Sequence, residues 1–153
     1  MTDCGLLLNL ELRSNPEMLC VVRSAVERLT VEMGFPERDC RSVTRAVDEA
    51  LTNIMRHAYQ GQPEQPIQVS CFRRQGQMES VPREGLEILL VDYGVAMDLS
   101  KLPGRSLDEV RPGGLGLHFI RASMDDFAYS REGNSNHLRL LKYLPSPGHG
   151  QGS

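Results

Sequence analysis

The sequence predicts an α+β fold: a two-layer α/β sandwich whose sheet is mixed and mostly antiparallel, with helices on one face. Three observations carry this expectation. Apolar residues recur with period two in some segments and with helical period in others, giving the order β, α, α, β, β, loop, α, β, β. The strands mostly follow one another through short turn-rich links, which pair neighbours antiparallel. The strict strand–helix alternation of dinucleotide-binding folds is absent. With 153 residues, 40% of them hydrophobic and 24% charged, the chain is expected to form one globular domain over residues 1–144. Residues 145–153, made only of Pro, Ser, Gly, His and Gln, can bury nothing and read as a disordered tail.

Each element has its own signal. Leu6, Leu8, Leu10 and Leu12 alternate with Leu7, Asn9, Glu11 and Arg13, a strand with one apolar face. Ser14-Asn15-Pro16-Glu17 reads as a capping box that opens a helix running to Met33 and stopped by Gly34. Pro36, Glu37 and Asp39 start a second helix, which ends near Tyr59 before Gly61. Ile67 to Arg74 and Leu86 to Tyr93 read as strands, the second apolar enough to be central. Between them Gln75 to Gly85 holds Gly76, Pro82 and Gly85 and suits a hairpin loop. Residues 94–113 form a Gly/Pro-punctuated segment with few apolar anchors, long enough to be functional or mobile. A short helix over Gly114 to Met124 follows, then strands over Asp126–Arg131 and His137–Leu144 joined at Glu132-Gly133-Asn134-Ser135.

Bulk properties exclude several classes of function. A net charge of -3, with arginines scattered rather than massed, gives no electrostatic case for nucleic acid or an anionic membrane. No apolar run approaches the roughly 18 residues of a membrane span, and the first residues lack the basic-then-apolar layout of a signal peptide. A cytoplasmic protein is expected. Cys4, Cys20, Cys40 and Cys71 lie too far apart for a zinc knuckle or redox pair, and read as free, mostly buried thiols. The four histidines show no metal-ligand spacing.

The chemistry-bearing residues fall in a suggestive order. Glu49, Asn53 and His57 stand at a spacing of four on the second helix, at the margin of a stripe formed by Val43, Val47, Ala50, Leu51, Ile54 and Ala58. A helix margin of this kind lines a cleft. Asn53 is either a solvated helix-edge residue or a neutral oxygen ligand suited to Mg²⁺. Glu49 is either a surface carboxylate or a group that orients or deprotonates a hydroxyl. His57 reads as structural. Asp92 closes a buried strand just before Gly94. It is either a turn-former accepting from its own loop or a carboxylate at a pocket floor that accepts from an exocyclic amine, selecting adenine over guanine. Gly113-Gly114-Leu115-Gly116 at a helix start is either a tight helix entry or an anion site.

Together these elements resemble the GHKL (Bergerat-fold) ATPases, the superfamily of gyrase, MutL and histidine-kinase ATP domains. Glu49-x-x-x-Asn53 looks like the N box, Asp92-x-Gly94 the first glycine box and Gly113-Gly-Leu-Gly116 the second. The stretches Glu49–Tyr59 and Gly113–Leu144 look most like the anti-sigma-factor serine/threonine kinases of bacterial partner-switching systems, and the resemblance covers residues 5–144. It implies that Asn53 ligates Mg²⁺ on the ATP phosphates and that Glu49 activates the serine of a protein substrate. It further implies that Asp92 holds the adenine amine, Gly94 lets the base approach, and Gly114, Leu115 and Gly116 offer backbone N–H groups to the phosphates. Arg111 and Gly113 join that phosphate site. The implied partners are a sigma factor and a STAS-domain anti-anti-sigma protein, the implied assembly a homodimer. No helix pair of the histidine-kinase dimerisation type precedes the motifs. Two positions depart from the family. Ala96 stands where the first glycine box has another glycine, and Asn136 and His137 stand near the place of a Thr that faces the adenine. These departures keep open the alternative of a non-catalytic, nucleotide-gated protein-binding module of the same fold.

Overall fold

The computed structural model describes residues 5–97 and 117–145. Its strands are β1 (Leu6–Arg13), β2 (Pro66–Met78), β3 (Val81–Asp92), β4 (Asp126–Glu132) and β5 (Ser135–Tyr143), in one sheet of order β1-β2-β3-β5-β4. Every neighbouring pair is antiparallel, so the sheet is antiparallel throughout rather than mixed. Helices α1 (Met18–Met33), α2 (Glu37–Asn53) and α3 (Leu117–Ser123) form the second layer.

The core lies between the layers and follows directly from the two periodicities. Strand β2 contributes Ile67, Val69 and Cys71, β3 contributes Leu86, Ile88 and Leu90, and β5 contributes Leu138 and Leu140, all at alternate positions. Against them α2 packs Val43, Val47, Ala50 and Leu51, and α1 packs Val22 and Val26. Ile120 of α3 and Met124 just beyond it close the far end. Helix α1 ends as its sequence requires: Gly34 takes φ 96°, and its N–H and that of Phe35 bond the carbonyls of Val31 and Thr30.

Three local expectations are corrected. Ser14 does not cap α1, whose first residue is Met18. It donates instead to the carbonyl of Gln62 at 2.8 Å and accepts from the N–H of Gln65 at 3.0 Å. The serine thus pins the end of β1 to the chain entering β2, and a turn closed by Met18 N–H to Asn15 O leads into the helix.

The second correction concerns the segment Gln75–Gly85, which is strand rather than loop. Strands β2 and β3 stay paired to Met78↔Val81 and turn through Glu79 and Ser80 alone. Both turn residues have positive φ, 54° and 66°, the pattern of a type I′ hairpin. Gly76 and Gly85 serve packing: a Cβ on Gly76 would lie 2.4 Å from the Tyr143 hydroxyl, and one on Gly85 would lie 2.9 Å from the Tyr143 ring. The tyrosine lies across the space these glycines vacate.

The third correction is at the end of α2. The α-helix stops at Asn53 and continues as a π-helical turn over Ile54–Ala58, closed by Tyr59 N–H to Ile54 O at 2.8 Å. The wider turn breaks the spacing of four beyond Asn53. Asn53 is buried and Glu49 half-buried, whereas His57 is exposed, as is Arg56. Of the described cysteines, Cys40 and Cys71 are buried and free, and Cys20 is free but exposed.

Candidate functional site

The floor of the site is one row of residues crossing the whole sheet. Leu12 pairs with Ile67, Ile67 with Asp92, Asp92 with Asn136, and Asn136 with Arg131. Leu12 and Ile67 belong to the helix-covered core, so pleating aims the rest of the row at the same side. The row changes from apolar to polar as it reaches β3. Asp92 terminates the buried series Leu86, Ile88, Leu90, and Asn136 begins the buried series with Leu138 and Leu140. Each is 4% exposed.

A buried carboxylate requires donors, and Asp92 has two on the same oxygen. Oδ1 accepts from the backbone N–H of Gly94 at 2.9 Å and from Nδ2 of Asn136 at 2.8 Å. The first bond is the turn-forming one expected of an Asp two residues before a glycine. The turn-forming and pocket-floor roles are therefore compatible. Burial pushes the Asp92 carboxyl above the usual range. The Asn136 bond, the Gly94 N–H, and the charges of Arg131 and His137 pull the other way.

The turn after Asp92 is bound to the end of the second helix. Tyr93 N–H donates to the Tyr59 hydroxyl at 2.8 Å, and Val95 N–H donates to the carbonyl of Ala58 at 2.8 Å. The Tyr59 hydroxyl in turn donates to the carbonyl of Pro66. Burial raises the Tyr59 pKa above its ordinary value, which keeps that proton in place. At Gly94 a Cβ would fall 2.2 Å from the Ala58 oxygen. Glycine is needed here first for contact between the turn and the π-helical segment. These contacts join the segment that begins with Asp92 to the same helix end that carries Asn53 and Glu49 one and two turns earlier.

Asn136 is the hub of the far side. Besides Asp92, its Nδ2 donates to the carbonyls of Val95 at 3.0 Å and Gly94 at 3.4 Å. Its Oδ1 accepts from the Tyr129 hydroxyl and from Nη1 of Arg131 at 2.9 Å. Arg131 also donates to Gly94 O at 2.8 Å, and the N–H of Met97 donates to the Tyr129 hydroxyl at 2.9 Å. Residues 93–97 are thus held from both sides, by Ala58 and Tyr59 and by Tyr129, Arg131 and Asn136. Ala96 has no positive φ, so its missing glycine freedom brings no backbone strain. His137 lies on the opposite sheet face by alternation and pairs with the Ser135 hydroxyl at 2.9 Å. Only Asn136 occupies the place for which both residues were considered.

Of the residues singled out from sequence, Glu49, Asn53, Asp92 and Gly94 fall on the described elements as above. Arg111, Gly113, Gly114, Leu115 and Gly116 lie outside the described residues, as do most of the 94–113 segment and residues 146–153. Tyr59, Tyr129 and Arg131 were not singled out. Their signal was available only in part: Phe127, Tyr129 and Arg131 alternate in β4, but the row they join depends on strand register. Among the described residues, no group of three His, Cys, Asp or Glu side chains forms a metal cage, and no helix is long and apolar enough to cross a membrane.

Comparison with known proteins agrees with this fold. Residues 12–142 match the family described as the histidine kinase-like ATPase domain. The chain is 28% identical over 127 residues to the serine-protein kinase RsbW of Oceanobacillus iheyensis, covering 78% of this chain and 75% of that protein. It is 35% identical over 106 residues to the serine/threonine-protein kinase BtrW of Bordetella bronchiseptica, covering 67% of this chain and 69% of that protein. Among solved structures, the fold is similar to the RsbU and RsbW domains of Rv1364c from Mycobacterium tuberculosis. There the TM-score is 0.59 at 14% identity, over 92% of this chain and 34% of that one. It is also similar to a chain of the SiaB-SiaC complex from Pseudomonas aeruginosa, with a TM-score of 0.56 at 14% identity over 92% of this chain and 91% of that one.

Proposed function

Since the chain belongs to the histidine kinase-like ATPase domain family, and within it to the GHKL-type serine/threonine protein kinases, we propose that it transfers the γ-phosphoryl group of ATP to a serine of a STAS-domain anti-anti-sigma protein, and that it also binds and restrains a sigma factor. The observation that carries the site assignment is the buried Asp92, set at the end of an apolar row and joined through Gly94 and Ala58 to the helix bearing Glu49 and Asn53.

In this reading the adenine amine donates to the Asp92 carboxylate. Oδ1 already holds two donors, so the amine meets Oδ2. Guanine presents a carbonyl at that place and leaves two acceptors facing each other. Asn53, at the last α-helical residue before the π-turn, offers one carboxamide oxygen. That suits Mg²⁺, which takes one or two protein oxygens and completes its shell with phosphate and water. Glu49 takes the proton of the substrate serine as its Oγ bonds phosphorus and the bond to the ADP oxygen breaks. The backbone N–H groups of Gly113, Gly114, Leu115 and Gly116, with Arg111, are assigned to the phosphates. Mg²⁺, when held there by Asn53, would supply charge neutralisation at those phosphates, and this chain's share of catalysis is positioning.

We further assign residues 1–144 as one kinase domain that acts as a homodimer in the cytoplasm. The test is nucleotide binding: Mg-ATP should raise the melting temperature and Mg-GTP should not, and Asp92→Asn should abolish the difference. Equal responses to ATP and GTP in the wild type would remove the adenine role from Asp92.

A further inference from the structure

The amide of Asn136 has only one permitted orientation, and its neighbours dictate it. Arg131 has no acceptor and must donate to Oδ1 of Asn136, and the Tyr129 hydroxyl, which accepts from Met97 N–H, has its own proton to donate there. On the other side the carbonyls of Gly94 and Val95 can only accept, which fixes Nδ2 there as the donor. Nδ2 also lies 2.8 Å from Asp92 Oδ1. A hydroxyl at position 136 would be free to rotate between donating and accepting. This amide is not.

We propose that Asn136 is the positioning residue that holds Asp92 as a hydrogen-bond acceptor and so sets which purine the site takes, with Tyr129 and Arg131 fixing Asn136 in turn. The inference rests on the assignment of Asp92 to the adenine amine. Its physical content is a choice of protonation and orientation. A carboxylate that accepts at Oδ1 from two fixed donors presents Oδ2 in one direction, as an acceptor. A protonated carboxyl presents a donor instead and loses its reason to prefer adenine.

The groups acting on Asp92 are Tyr59 at the π-turn, Gly94 beyond β3, Arg131 on β4 and Asn136 on β5, with His137 contributing only its charge from the other sheet face. Burial opposes the ionised form, while the Asn136 bond is the largest influence favouring it. Removing the amide therefore moves protonation of Asp92 to higher pH and frees the carboxyl to turn. Both effects act on base selectivity, beyond any effect on folding.

The experiment measures dissociation constants of ATP and GTP in Mg²⁺ by displacement of a fluorescent ATP analogue, between about pH 4 and 8. It compares the full-length wild type with Asn136→Ala and Tyr129→Phe. We expect a wild type that prefers ATP near neutrality. Asn136→Ala should bind ATP roughly tenfold more weakly, with a smaller ATP-to-GTP preference and an acid limb of ATP binding displaced to higher pH. Tyr129→Phe, which keeps the amide but removes one of its two anchors, should shift the same quantities in the same direction by less. It carries the test if Asn136→Ala does not fold. A selective wild type whose variants keep both the preference and the acid limb, or lose affinity for both nucleotides alike, overturns this inference alone. A wild type indifferent to the purine overturns the Asp92 assignment and this inference with it.

Discussion

Gly94 offers the sharpest energetic prediction, because its need for glycine is steric and its size can be worked out. A Cβ built there would sit 2.2 Å from the Ala58 oxygen, 2.4 Å from the Ala58 carbonyl carbon and 2.8 Å from its Cβ. Real Cβ contacts essentially never fall below 3.0 Å, so in Gly94→Ala the turn and the π-helical segment must separate by about 0.8 Å. The obstacle is backbone and cannot swing aside. Separation on this scale strains the Val95 N–H to Ala58 O bond, now 2.8 Å, and displaces the Gly94 carbonyl from Arg131. Overpacking of this kind costs about 1–3 kcal/mol, and one weakened hydrogen bond adds about 1 kcal/mol. For a chain of this length, that is a fall in Tm of roughly 5–15 °C. Differential scanning calorimetry of Gly94→Ala beside Gly34→Ala makes the comparison. Gly34 has φ 96° and nothing within 4 Å of its built Cβ, so its substitution costs only left-handed strain, about 1–2 kcal/mol. Gly34→Asn should recover part of that loss, because Asn tolerates this φ. Gly94→Asn should recover nothing. A Gly94→Ala protein melting within about 2 °C of wild type would refute the packing argument.

Three further outcomes follow from the site and the core. The folded-state pKa of Asp92 is raised, so its contribution to stability is complete below its ordinary value of 3.8 and is lost as pH rises through the raised value. Asp92→Asn keeps an acceptor for Gly94 and Asn136 but lacks that loss. Its unfolding free energy, measured by denaturant titration at several pH values, should fall less than that of wild type over the interval above 3.8. Burial pushes the Cys71 thiol up to about 12, whereas Cys20 is exposed. Mass spectrometry after brief iodoacetamide treatment of the native protein should find Cys20 modified and Cys71 protected until the chain unfolds. Asn53→Ala should weaken the Mg²⁺ dependence of ATP binding more than binding without metal, which nucleotide titration with and without Mg²⁺ would reveal.

Much of the fold was legible because its signals are local. Alternating leucines in β1, the acidic start of α2 and the Gly34 stop needed only neighbours in sequence. Where the reading failed, the cause was a distant partner. Ser14 carries the letters of a helix cap, yet its hydroxyl is taken by Gln62 and Gln65. Gly76 and Gly85 read as loop punctuation because nothing nearby announces that Tyr143 will lie across them. The π-turn after Asn53 has no sequence signature here, and it separates exposed His57 from the seam it was grouped with. The site shows the same division. Glu49, Asn53, Asp92 and Gly94 could be proposed from spacing, since each belongs to a contiguous motif. Tyr129, Arg131 and the central place of Asn136 emerge only from the register of β3, β5 and β4. Asn136 could have been placed inward by counting back two and four residues from Leu140, but its meeting with Asp92 could not.

Phosphoryl transfer assisted by Glu49 can be assayed directly. Purified protein would be mixed with labelled Mg-ATP and a STAS-domain protein encoded in the same genome, and phosphoserine formation would be timed for wild type and Glu49→Ala. Glu49 is half-buried at the helix margin, so the variant should fold and bind ATP as wild type does. Wild type should form phosphoserine on the STAS protein, at a rate lower by about 10²- to 10⁴-fold with Glu49→Ala. Equal rates in the two proteins, or ATP bound by both with no phosphoserine formed, would contradict transfer assisted by Glu49.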